Sequence, residues 1–317
     1  MKSLMKPRSI LGAIGALTVA GLAVSALVTG VAAAPAAKVD LCHAKGNGSY
    51  SPLSVAASAV AGHLKHGDVV QPNGAVPGNP GAVFDANCQV VSWTYAVNVA
   101  PDPAAQDPAS PGNLFVGTGI PATNFGTATN EDLGIELGLM VLYRQGPTIA
   151  STDNYNDGVL HFNVASGPQS TANGSSSNNA TRAAWNFTFS VATGLNGATT
   201  DLGDYTFQLL IDVDTGPGTS YMTLELEAEV TPQAPGQSGF RWVEQTTNAA
   251  VISDDEGNFN VTQNSQNYAF YAALLTPSGS YTPPTFAGPA TFDIILQALD
   301  GAQIVASNHI VVDVAAP

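Results

Sequence analysis

Residues 41–70, LCHAKGNGSYSPLSVAASAVAGHLKHGDVV, gather the side chains best suited to chemistry in this chain. Three of the five histidines, His43, His63 and His66, fall there with Asp68 and with Cys42, one of only two cysteines. Neutral imidazoles and a carboxylate are the donors that zinc- or copper-type ions take, and two histidines three apart on a helical face can share one ion. Asp68 is close enough to join them or to orient one ring through a hydrogen bond. The alternative is structural. Histidine near a helix C-terminus bonds the last carbonyls and suits the helix dipole, and Asp after Gly67 is ordinary turn chemistry. Both readings stand: a transition-metal site on His43, His63, His66 and Asp68, or a small module in which these histidines cap and pack.

The second chemical lead is acidic. DVDTGPGTS places Asp212 and Asp214 two apart at a strand end entering a Gly-rich turn, and SDDEGN clusters Asp254, Asp255 and Glu256 at another. Hard cations such as calcium take several oxygens from carboxylates and turn carbonyls. Neither stretch has an EF-hand pattern, and each also reads as a solvated hairpin turn. Enzyme signatures are scarce: G-x-S-x-G, H-E-x-x-H, the P-loop and the dinucleotide fingerprint are all missing from the sequence. His161 in VLHFNV and His309 beside Ile310 alternate with apolar residues and are expected on polar strand faces. Trp242, Tyr221 and Tyr281 are candidates for a glycan platform, whereas Trp185 fits a core face. Catalysis is not expected. The competing reading from another class is a polysaccharide-active enzyme whose acid pair meets only in the fold.

The first residues bear on the compartment. MKSLMKPR precedes an apolar run from Ile10 to about Val31 and then VAAAPAA, the order of a secretory signal peptide, read here as residues 1–37. The run is also long enough to span a bilayer uncleaved. Small residues at its exit favour cleavage and leave no transmembrane anchor. The net charge of −15 becomes about −18 once Lys2, Lys6 and Arg8 leave. So acidic a surface repels phosphate backbones, which argues against nucleic-acid partners. Two cysteines in an exported chain read most simply as one disulfide, Cys42–Cys88, worth roughly 4 kcal/mol for a loop of this length. A thiolate metal ligand at Cys42 is the alternative.

The elements that must position these residues follow two grammars. In residues 38–91, Ser51-Pro52 and Ser54 offer helix-start chemistry, and Leu53, Ala57, Val60 and Leu64 recur at helical spacing. This predicts one short helix over 54–65, ended by Gly67, followed by a Pro/Gly/Asn-rich loop over 71–88. From residue 92 the pattern becomes strict alternation, as in WNFTFSV, DYTFQLLIDV and MTLELEAEV. About ten such strands predict an all-β domain over 92–317, an antiparallel two-sheet sandwich, jelly-roll-like, with one wet face per sheet. The Pro/Ala-rich stretch 99–113 is a linker or an internal crossing, and 165–182 a long polar loop.

Two resemblances add to this. LCHAKGNG, SVAASAV and HLKHGD stand in the order of a short Cys-His…HLxHGD module that resembles the N-terminal part of many exported bacterial proteins. GTGIPATNF, GIELGL, TRAAWNFTFSV, LGDYTFQLLIDVDTGPGTSYMTL, NVTQNSQNYAF and FDIILQALDGAQIVASNHIVVDV resemble the β-sandwich region of bacterial PEP-CTERM-type exported proteins. The resemblance implies export, cell-surface or matrix association, and a structural or binding role, with an extracellular polysaccharide or the chain itself as partner. The sequence stops at IVVDVAAP without the Pro-Glu-Pro sorting tail of that family, so free secretion is expected.

Overall fold

The computed structural model describes residues 37–100, 114, 123–144, 146–169, 179–214, 218–228, 239–246, 249–253, 259–267 and 289–316. They form an all-β fold. The N-terminal strands are β1 (Lys38–Ala44), β2 (Tyr50–Ala56) and β3 (Val69–Val70), in spatial order β2-β1-β3. Between β2 and β3 lie a 3₁₀ turn, Ala57–Ala59, and one short helix, α1 (Val60–Leu64). The predicted helix over 54–65 is therefore mostly strand at its start. Ser51, Pro52 and Ser54 belong to β2, with Pro52 opposite Cys42. Pairing with β1 satisfies this backbone, and β2 is an edge strand, where the missing Pro N–H is tolerated. The predicted loop over 71–88 also contains a strand, β4 (Ala82–Phe84), paired with β5 (Val90–Ser92).

The sandwich begins with β6 (Thr94–Val99), β7 (Phe125–Asn130) and β8 (Ile135–Tyr143), with β9 (Thr148–Ile149) on β8. After β10 (Leu160–Val164) come β11 (Pro168–Gln169) and β12 (Asn179–Ala183), which pair with each other inside the stretch expected to be loop. The chain continues through β13 (Trp185–Ala192), β14 (Thr206–Asp212), β15 (Tyr221–Ala228), β16 (Phe240–Glu244) and β17 (Ala249–Ser253). It ends with β18 (Val261–Asn267), β19 (Ala290–Asp300) and β20 (Gln303–Val314). One sheet runs β18-β13-β8-β7-β6 and the other β10-β20-β19-β14-β15-β16-β17. The neighbours pair antiparallel except β10 with β20, which run parallel.

Inward residues of both sheets, among them Leu137, Phe187 and Phe189 facing Leu209, Trp242, Ile294 and Ile310, make one continuous core. Alternation holds on the second sheet: in β15, Met222, Leu224 and Leu226 are buried while Thr223, Glu225 and Glu227 are partly exposed. It fails on the first sheet. Strands β8 and β13 are buried on both faces, so Asn186, Thr188, Ser190 and Glu136 are polar yet enclosed. A second cluster of Leu114, Phe125, Met140 and Leu142 covers part of that outer face. Among the described residues no helix is long and apolar enough to cross a membrane.

Candidate metal centre

The module is closed by the Cys42–Cys88 disulfide, with Cα atoms 5.5 Å apart, inside the normal range for such a bridge. Both cysteines are buried with Phe84, and Tyr50, Val69 and Val76 pack around them. The bridge takes Cys42 out of the ligand set. It also anchors the middle of β1, so the next residue, His43, is held in place on the strand.

Helix α1 supplies the second histidine. It buries no side chain, and Leu64 is exposed, so the helix is not a core element. What gives it a fixed end is a Schellman turn. The Asp68 N–H donates to the His63 carbonyl (3.3 Å) and the Gly67 N–H to the Leu64 carbonyl (3.2 Å). Gly67 has φ +89°, which only glycine adopts without strain. This turn folds Asp68 back beside His63 and aims it at β1.

Asp68 is the centre of the arrangement. Its Oδ2 accepts from His63 Nδ1 at 2.7 Å and from His43 Nδ1 at 2.9 Å, while Oδ1 accepts from His43 Nδ1 and from the Ala44 N–H, both at 3.0 Å. An ionised carboxylate only accepts, so each imidazole donates from a protonated Nδ1. Burial by itself would raise the Asp68 pKa. The bonds from His43, the Ala44 amide and His63 outweigh it and lower the pKa to about 2. The three side chains are thus tied by charge-assisted hydrogen bonds, with ligand atoms all within 4.8 Å of one another.

The fourth residue expected here is elsewhere. His66 lies past the end of α1 and is exposed; its N–H donates to the His63 carbonyl, and it is not one of the converging three. The helical spacing of His63 and His66 ends at the Schellman turn, which selects Asp68 as the partner of His63 instead.

The acidic lead fares differently. Asp212, expected on a wet strand face, is buried. Its Oδ1 accepts from the Asp214 N–H (2.9 Å) and the Ser220 N–H (2.8 Å), pinning the β14–β15 hairpin. Burial raises its pKa against those two amides, and the charges of Asp293 and Asp214 add to the rise. Asp254, Asp255, Glu256 and Tyr281 lie outside the described residues. Trp242 is fully buried, with Nε1 donating to Thr262 Oγ1 at 3.2 Å, so it is a core residue and no glycan platform; Tyr221 stays exposed. His309 donates from Nε2 to Asp293 Oδ1 at 2.7 Å, and His161 sits between Asp153 and Asp313 at 3.8 and 3.7 Å.

Sequence reading passed over Glu136. It lines a cavity of about 380 Å³ on the outer side of the first sheet with Thr94, Thr127, Thr129, Glu131 and Asn196. Burial raises its pKa, opposed by hydrogen bonds from the Leu114 N–H and Thr129 Oγ1. Its position in an alternating strand reads as solvated, and nothing local marks it as enclosed. Comparison with protein-family models, with curated proteins and with solved structures finds no match for this chain.

Proposed function

We propose that the protein is exported and works outside the cytosol as a non-catalytic structural or adhesive component of a cell surface or extracellular matrix. The observation that carries this reading is the buried Cys42–Cys88 bridge, because such bonds persist in oxidising compartments and are rare where thiols are kept reduced. The N-terminal MKSLMKPR and apolar run support it, as does the strongly acidic balance of the remaining chain.

The architecture suits a mechanical role. The module is stapled to the sandwich at Asn73, whose Nδ2 donates to the Ala302 carbonyl (2.8 Å) and whose Oδ1 accepts from the Ile304 N–H (2.7 Å). The disulfide, the Asp68 clamp and this staple together give a covalently closed end on a two-layer β body.

Expression of the full chain in a bacterial host, followed by fractionation and N-terminal sequencing, tests export. The expected product is a chain beginning near residues 34–38, outside the cytosol and oxidised. Unprocessed precursor in the cytosol with both thiols free would refute it. For the adhesive role, the purified protein is expected to self-associate on sedimentation or to co-sediment with insoluble polysaccharide. A monomer that does neither would leave that role without support.

A further inference from the structure

We propose that His43, His63 and Asp68 form a binding site for one divalent transition-metal ion of the zinc or copper type, held by both Nδ1 atoms and an Asp68 oxygen. Two imidazoles from different elements, a β-strand and a helix end, direct the same ring nitrogen at one carboxylate oxygen, Oδ2. A tetrahedral ion with bonds of about 2.0–2.1 Å keeps its ligand atoms roughly 3.3 Å apart. The N–O separations here are 2.7 and 2.9 Å, so each must open by only about half an ångström to admit the ion.

The surroundings allow that movement. The Asp68 side chain is 1% exposed and fixed by the Ala44 amide, whereas the His43 and His63 side chains are 45% and 30% exposed and can turn outward. The fixed carboxylate is the floor of the site and the two rings are its adjustable walls. Protein ligands fill three positions, and the exposed side of the rings leaves a fourth for water or an added donor, as in open zinc sites. The donor set also discriminates. Two imidazole nitrogens and one carboxylate oxygen suit zinc, copper or nickel and do not suit calcium, which takes oxygens.

Proton accounting is simple. A ring that donates to Asp68 holds a proton on Nδ1; on binding, Nδ1 gives up that proton and becomes the ligand, and the ring of the loaded site carries its proton on Nε2. No redox step is involved. The site does not depend on where the protein works, so it stands or falls separately from the proposed function.

The test uses the purified protein with its disulfide intact, stripped with chelator and titrated with Zn²⁺ and separately with Ca²⁺. About one Zn²⁺ per chain is expected, with affinity falling more than about tenfold in His43→Ala and in His63→Ala and unchanged in His66→Ala. Binding of well under one Zn²⁺ overturns the proposal. So does a His43→Ala/His63→Ala double variant that binds like the parent, a comparable affinity for Ca²⁺, or a loss of binding in His66→Ala. Long-range ¹H–¹⁵N spectra of the parent protein provide a readout independent of any variant's folding. Zn²⁺ should move the protons of both rings from Nδ1 to Nε2, and retention of Nδ1–H in the loaded protein would overturn the ligand assignment.

Discussion

Replacing Asp68 with alanine would leave three donors, the His43 and His63 imidazoles and the Ala44 N–H, facing an empty acceptor position. Losing a charged, buried acceptor of this kind costs about 2–3 kcal/mol, so Asp68→Ala should lower the thermal midpoint by several degrees, measured by circular dichroism. The same residue sets an acid limit in metal-free protein. Its folded pKa of about 2 lies below the ordinary value of 3.8, so its contribution is complete above pH 4 and is lost as the pH falls towards 2. Parallel acid-unfolding curves of the parent and Asp68→Ala should converge over that interval. A constant gap between them would show that the carboxylate is not the titrating group. At this scale the sequence is informative about residue types: His43, His63 and Asp68 stand out by chemistry and spacing alone. The exclusion of His66 is not legible, because it depends on where the chain turns out of α1.

Gly67 decides that turn, and its role belongs to the element scale. Its φ of +89° lets the two backbone bonds of the Schellman turn form and bring Asp68 against His63. Gly67→Ala should cost about 1 kcal/mol and weaken Zn²⁺ binding without removing a ligand; a melt and a titration measure the two. A second element-scale device joins the two sheets. Asn308 on β20 is fully buried, donates from Nδ2 to the carbonyls of Gly126 and Leu137 at 2.8 Å each, and accepts from the Tyr155 hydroxyl at 2.7 Å. Asn308→Ala removes the bonds to both carbonyls and takes the acceptor from the buried Tyr155 hydroxyl, and should destabilise the protein by about 2–4 kcal/mol, visible as a lower urea midpoint. In the sequence Asn308 is one more polar residue in a strand. Its interior position follows from the period, since it shares a face with Ile310 and Val312, but its partners on β7 and β8 lie some 170–180 positions away and leave no local trace.

For the whole molecule, the disulfide joins residues 46 positions apart and closes the loop that holds His43 and Asp68. The chain-entropy model assigns such a loop roughly 4 kcal/mol. Melting with and without reductant should therefore differ strongly, and reduction should loosen the module before the sandwich, whose large core needs no bridge. Hydrogen exchange would read this as early loss of protection over residues 38–92 alone. Simultaneous loss across both parts would instead mean that the Asn73 staple couples them into one cooperative unit.

Local periodicity and residue chemistry were enough to derive the all-β class, the Cys42–Cys88 pairing and the type of residues at the candidate metal centre. These depend on interactions whose signals are written within a few positions: alternation of side chains, turn-forming glycines, and two cysteines with only each other to pair with. Tertiary structure decided what lies beyond that range. It made β2 a strand because β1 was available to pair with it, and it buried the outward residues of β8 and β13. It withdrew Asp212 and Trp242 from the surface and selected Asp68 over His66 as the third member of the cluster. Each of these turns on which distant backbone or side chain satisfies a polar group, and only the folded chain brings those partners together.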